Sequence, residues 1–298
     1  MENWKEEKVT LFPRRLFLRL AALALAAVLA LSIALPVFAS DDGDTIYINS
    51  VSDLLSLAKS CAYDQWSVGK TVILQKDLSL EGMLWEPIPS FSGQFKGNGH
   101  TISDLTITGQ YSPAGLFGIV EEQGSIESLS VRGIVSVSDS ADTTTGGIVG
   151  INHGTLINCQ FTGVVTGDSE VGGIVGRNES EGTIDHSTAR AIVTGKSSTG
   201  GIAGYNLGAI TGCTNVGSIN TEYQEASLDT DGFTAKMVDQ INNKIAAADD
   251  DATNSVTNVA TDTGGIAGRS SGMILTSVNT GTVGYEHIGY NVGGIVGR

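Results

Sequence analysis

A four-residue unit, Gly-Ile-Val-Gly or a close variant, recurs six times along the 298-residue chain. It begins at Gly115, Gly147, Gly173, Gly201, Gly265 and Gly294 and closes at Gly118, Gly150, Gly176, Gly204, Gly268 and Gly297. Successive starts lie 32, 26, 28, 64 and 29 residues apart. A unit this short cannot bury its own apolar face. Stacking on its neighbours buries that face in one continuous column, which is the physics of a solenoid.

Each unit reads as three short strands. The Gly-Ile-Val-Gly segment is the first, followed by a turn with Asn152, Asn178 or Asn206 at one register and Ser270 replacing it once. A second apolar pair follows, such as Thr155-Leu156 or Thr183-Ile184, and then a third, such as Val164-Val165 or Ile192-Val193. Segments 136–145, 167–171, 195–199 and 285–292 read as return loops at one edge. The pattern predicts an all-β, right-handed parallel β-helix with three short strands per coil. Parallel stacking at about 4.8 Å per coil makes a rod on the order of 30 Å long. Glycine suits its corners, where positive φ or close backbone approach is needed. The period is too short for propeller blades, and both the leucine-rich frame and the collagen triplet are missing.

The first 39 residues read as a secretory signal peptide. Five basic residues ending at Arg19 precede an uncharged run from Leu20 to Leu35, then Pro36 and a small-residue pattern with cleavage between Ala39 and Ser40. Sixteen uncharged residues fall short of the roughly 20 that span a bilayer. Without this leader the chain keeps 12 basic and 29 acidic residues, a net charge of −17. Such a surface repels nucleic acid and anionic lipid. The expected location is therefore secreted or cell-surface, with membrane contact only through the leader or a C-terminal anchor beyond Arg298. The repeat is still running at Gly297, which predicts a longer protein.

Residues 40–90 read as an N-terminal cap of the solenoid. Ile46-Tyr47-Ile48 and Val72-Ile73-Leu74 are predicted strands. Ser52 is the predicted N-cap of a helix reaching Cys61, with Leu54, Leu57, Ala58 and Cys61 on one face. The repeats fill 91–298 and are interrupted by an insertion over 221–262. That insertion has a predicted helix over 235–248, started by Thr234 and stapled by Phe233 and Val238.

The repeat resembles the GLUG-motif family over residues 91–298, including the lead-in Phe91-Ser92-Gly93-Gln94-Phe95-Lys96-Gly97-Asn98-Gly99-His100-Thr101-Ile102. The resemblance implies a β-helical stalk or adhesive module of a large bacterial surface protein. Some such proteins are immunoglobulin-A-cleaving zinc peptidases. It implies no activity by itself.

Patterns that carry chemistry are sparse. Cys159 and Cys213 share a register with Leu129, Ser187 and Ser277, so they read as buried free thiols rather than a disulfide. His100, His153, His186 and His287 are scattered, without the H-E-x-x-H zinc signature. Gly195-Lys196-Ser197 lacks the upstream glycine of a phosphate loop, since Arg190 stands there. Asp229-Thr230-Asp231-Gly232 is an incomplete calcium loop. Glu127, Asp185 and Arg132 are the candidates for a polysaccharide lyase or hydrolase, but they are not stacked in successive units. The expectation is a non-enzymatic stalk or adhesin-like module without catalytic, metal or cofactor residues. The sequence identifies no partner; a host glycan or an extracellular protein is the class that such a module would bind. The alternatives are a carbohydrate-active β-helix and the stalk of a larger surface peptidase.

Overall fold

The computed structural model describes residues 44–63, 65–137, 143–221, 260–284 and 289–298. The leader, the Ala39–Ser40 junction, the 235–248 helix and the 229–232 acidic segment lie outside the described residues. The chain divides into two units, Met1–Gly43 and Asp44–Arg298. The second is an all-β parallel solenoid, with 28 strands and one ten-residue helix among its described residues.

One coil shows the plan. Strands β11 (Val149–Asn152), β12 (Thr155–Ile157), β13 (Gln160–Thr166) and β14 (Glu170–Gly172) follow one another around the column. Each pairs in parallel with its counterpart one coil on: β15 (Val175–Asn178), β16 (Thr183–Asp185), β17 (Thr188–Thr194) and β18 (Ser197–Gly200). Four sheets result, of six, eight, nine and five strands, here called faces 1 to 4 in coil order. The eight-stranded face 2 starts at β1 (Thr45–Ile48) and β2 (Thr71–Leu74), the two strands expected there. The parallel register therefore reaches back ahead of the Gly-rich repeats.

Two expectations need correction. A coil has four strands rather than three, because the supposed return loops contain face 4. Its strands are β10 (Thr144–Gly146), β14, β18, β23 (Ala260–Gly264) and β28 (Gly289–Gly293). They are short, and the first four carry Thr145, Val171, Thr199 and Thr263, all buried, at one register. The second correction concerns the Gly-Ile-Val-Gly unit, which is a strand only in its second half: its first two residues are a corner. Gly146 ends face 4, Gly147 and Ile148 turn the chain, and Val149 opens face 1.

The corner explains the glycines. A Cβ on Gly147 would strike the Phe161 ring and stand 2.5 Å from the Gly173 carbonyl oxygen. A Cβ on Gly173, Gly201 or Gly265 would likewise meet the carbonyl of Gly201, Gly265 or Gly294, one coil on. The turning isoleucine then points inward: Ile148, Ile174, Ile202 and Ile266 are fully buried. Face 2 adds Ile126, Leu156, Ile184 and Ile210 at one register, also fully buried. Each such side chain contributes about 1.5–3 kcal/mol relative to exposure.

Core size is traded between neighbours. The first coils are aromatic, with Phe91, Phe95 and Phe117 packed at centroid distances of 5.4–6.3 Å. On face 3, Phe161 is followed by Ala189 and then by Asn215 at one register.

Helix α1 (Val51–Ser60) buries Leu54 and Leu57, with Cys61 just beyond, and packs against β1 and β4 (Ile88–Phe91). Its N-cap is Ser50 rather than Ser52. Ser50 Oγ accepts from the Asp53 N–H at 3.2 Å, and the Asp53 carboxylate accepts from the Asn49 N–H at 2.9 Å. This second bond chiefly holds the Asp53 pKa below its ordinary value. Ser52 lies inside the first turn, where its carbonyl accepts from Ser56 Oγ.

Candidate functional site

The interior carries three polar ladders. At the end of face 1 strands, Asn152, Asn178 and Asn206 are fully buried. Asn152 Nδ2 donates to Asn178 Oδ1 at 2.8 Å, Asn178 Nδ2 to Asn206 Oδ1 at 2.8 Å, and Asn206 Nδ2 to Ser270 Oγ at 3.1 Å. Each also donates to a carbonyl of its own coil, at Gly154, Gly182 or Gly208. The ladder begins abruptly. Asn152 stands opposite Val120, and its Oδ1 has no donor. These residues were read as turn asparagines, but they are inward strand ends. A second rung pair joins Asn215 Nδ2 to Asn279 Oδ1 at 2.7 Å.

The third ladder alternates sulfur and oxygen. The Cys159 N–H donates to Ser187 Oγ at 3.1 Å, and the Cys213 N–H to Ser277 Oγ at 3.2 Å. Cys61, Cys159 and Cys213 are free and buried. Burial pushes the Cys159 thiol up to about 12, and those of Cys61 and Cys213 up to about 11. None is poised as a thiolate nucleophile.

The carboxylate candidates do not converge. Glu127 and Asp185 share one outward column of face 2, with Ile157 between them, so their Cα atoms are two rungs, about 9–10 Å, apart. Arg132 stands on face 3. His186 pairs with the adjacent Asp185 at 2.8 Å and occupies a corner with φ of 46°. Ser128, Asn158, Gly212 and Thr276 repeat that left-handed corner at the same register. His100 is held by Asp77 at 3.1 Å, and Asp77 is kept below its ordinary pKa first by the Thr101 N–H. Among the described residues, no group of three or more His, Cys, Asp or Glu could hold a metal ion. No helix among them is long and apolar enough to cross a membrane.

A concentrated outward feature, missed in the sequence, is on face 1. Arg177, Tyr205 and Arg269, the last on β24 (Ala267–Ser270), occupy one column on successive coils. The two guanidiniums lie 5.0 and 5.5 Å from the Tyr205 ring centroid. Arg177 also pairs with Glu170 at 2.7 Å and with Glu179 at 2.6 Å. Burial opposes the Arg177 charge, but these two carboxylates outweigh it and raise its pKa. The three residues are 28 and 64 apart, and only the coil register brings them together.

Together these features define a parallel β-solenoid with repeating inward aliphatic columns and variable outer columns. Residues 167–194 match the model of the GLUG motif, in agreement with the resemblance of the repeat. That match runs once around the column, from the corner before β14 to the end of β17, so one motif is one coil. The chain is 32% identical over 155 residues to "Halomucin" of Haloquadratum walsbyi, covering 48% of this chain and 2% of that protein. It is 29% identical over 137 residues to a protein of Evansella cellulosilytica provisionally named a Gly-rich membrane protein, covering 33% and 16% respectively. The chain thus spans a small part of the length of these relatives. A solved structure from Bacteroides ovatus, provisionally named an immunoglobulin A1 protease, aligns with a TM-score of 0.39 at 16% identity, over 60% of this chain and 68% of that one.

Proposed function

We propose that this chain is an exported, cell-surface segment whose solenoid spaces and presents a binding surface and performs no catalysis of its own. The observation that carries this reading is the division of labour within each coil. The inward aliphatic columns at the corner and on face 2 repeat from rung to rung, as in Ile184 above Ile210, while outward positions change, as in Arg177 above Tyr205. A rigid column with a freely variable exterior is the arrangement used by binding solenoids. The GLUG coil and the membrane-protein name of one relative support a surface location. In this reading the coil is right-handed, the hand natural to right-twisted parallel crossovers. Helix α1 serves as the N-terminal cap, shielding the first rungs of faces 1 and 2.

The test is a glycan and extracellular-matrix array probed with the exported chain, with sugar-release products assayed in the same wells. Selective retention without product is the expected outcome. Product formation would replace this reading with a carbohydrate-active β-helix and direct attention to Glu127 and Asp185. Silence in both assays would reduce the segment to a stalk.

A further inference from the structure

The Arg177–Tyr205–Arg269 column continues by one rung. The Arg298 N–H donates to the Gly268 carbonyl at 3.1 Å, and the Ser270 N–H donates to the Arg298 carbonyl at 2.8 Å. This is the parallel pattern that places residue 298 opposite residue 269, in line with the Ala267–Val296 bridge. Three arginines and one tyrosine therefore share four consecutive rungs of face 1 in a chain whose net charge is −15.

The rungs are not equivalent. Arg177 is committed to Glu170 and Glu179, so it serves as a fixed support for the Tyr205 ring. Arg269 is exposed, with its guanidinium 5.5 Å from the centroid of that ring, and among the described residues it forms no ion pair within 4.0 Å. Its guanidinium is held in place by the ring while its N–H donors stay free, which lowers the entropy lost on capturing an anion. Arg298 stands beside it, about 4.8 Å away along the column.

We propose that this strip docks a linear acidic polysaccharide, with Arg269 and Arg298 receiving carboxylate or sulfate groups on neighbouring sugars. The inference rests on the binding-module reading and specifies its ligand class. The rung spacing is about the length of one sugar ring along an extended glycan. Nucleic acid presents a denser line of charge that two free arginines cannot neutralise, against an acidic background. The general repulsion of the acidic surface is screened beyond about 8 Å at physiological salt. Contact-range pairing with Arg269 and Arg298 then decides binding, and a long polymer adds avidity by engaging many molecules.

The experiment is retention of the full chain on immobilised polygalacturonate, a sulfated glycosaminoglycan and a neutral glucan. Wild type and the variants Arg269→Ala, Arg298→Ala, the double variant and Lys196→Ala are compared, with circular dichroism run on each. Retention on an acidic polymer but not on the glucan is expected. The double variant should weaken it by at least about tenfold, the scale of lost charge-assisted hydrogen bonds. Lys196→Ala, which removes a cation paired with Asp168 on another face, should retain binding. Arg269→Lys, which keeps charge but loses the planar fork, should fall between. No retention on acidic polymers, or equal retention by the double variant, overturns the proposal. Retention on the neutral glucan that survives the double variant overturns the strip while leaving the binding-module reading standing.

Discussion

Asn178 donates its Nδ2–H to Oδ1 of Asn206, 28 residues later in the chain and directly opposite on the next coil, at 2.8 Å. Both side chains are fully buried, and Asn178 accepts in turn from Asn152. The same amide thus closes a turn in its own coil and ties that coil to its neighbours.

Replacing Asn178 with leucine should therefore cost more than replacing Asn152. The first change leaves one Asn152 Nδ2 hydrogen and the Asn206 Oδ1 acceptor without partners, at about 1–3 kcal/mol for each unsatisfied buried group before relaxation, while the Gly182 carbonyl keeps the Ala209 N–H. The second strands one acceptor, Asn178 Oδ1, since the Gly154 carbonyl keeps the Thr183 N–H, and it removes an Oδ1 that already lacks a donor. Urea midpoints of the two variants check the order. Equal midpoints would argue against cooperative loss along the ladder.

The buried thiols predict an alkaline weakness. Their folded pKa values are raised from 9.0 to about 11 or 12, so they stay protonated in the native chain where the unfolded chain ionises. Their contribution is complete below pH 9 and is lost as pH rises through 11. Each thiol adds a slope of up to about 1.4 kcal/mol per pH unit in that window. Stability measured at pH 8 and pH 10.5 should fall less in a Cys159→Ala, Cys213→Ala variant than in wild type.

The glycines of the repeated unit should differ along the column. Gly147→Ala drives a methyl into the Phe161 ring and the Gly173 carbonyl, an overpacking cost of about 1–3 kcal/mol. Gly118→Ala, in the same four-residue unit one coil earlier, keeps its methyl at least 3.1 Å from every neighbour and should cost less than Gly147→Ala. Thermal midpoints of the two single variants make the comparison.

Ser50→Ala should destabilise helix α1 by about 1 kcal/mol, whereas Ser52→Ala should be near neutral. Differential hydrogen exchange at residues 51–60 distinguishes the two. The opposite order would restore Ser52 as the cap.

Much of this arrangement was legible in the chain. The spacing of the glycine pairs, the single register of Ile126, Leu156, Ile184 and Ile210, and the shared register of Cys159 and Cys213 all follow from counting residues. Identical units can bury their apolar positions only by stacking, so period and composition together determined a parallel column with inward aliphatic and thiol ladders. Face 4 and the corner were not legible. Thr144-Thr145-Gly146 and Ser197-Ser198-Thr199-Gly200 have no apolar alternation, and they become strands because neighbouring coils offer them a backbone ladder. The left-handed corner is filled by Ser128, Asn158, His186, Gly212 and Thr276, which share a backbone angle and little chemistry. The Arg177–Tyr205–Arg269 stack is likewise invisible along the chain, since residues far apart in sequence meet only when the coil closes. Local pattern determined what must be buried; the register of the closed coil decided which exposed residues became neighbours.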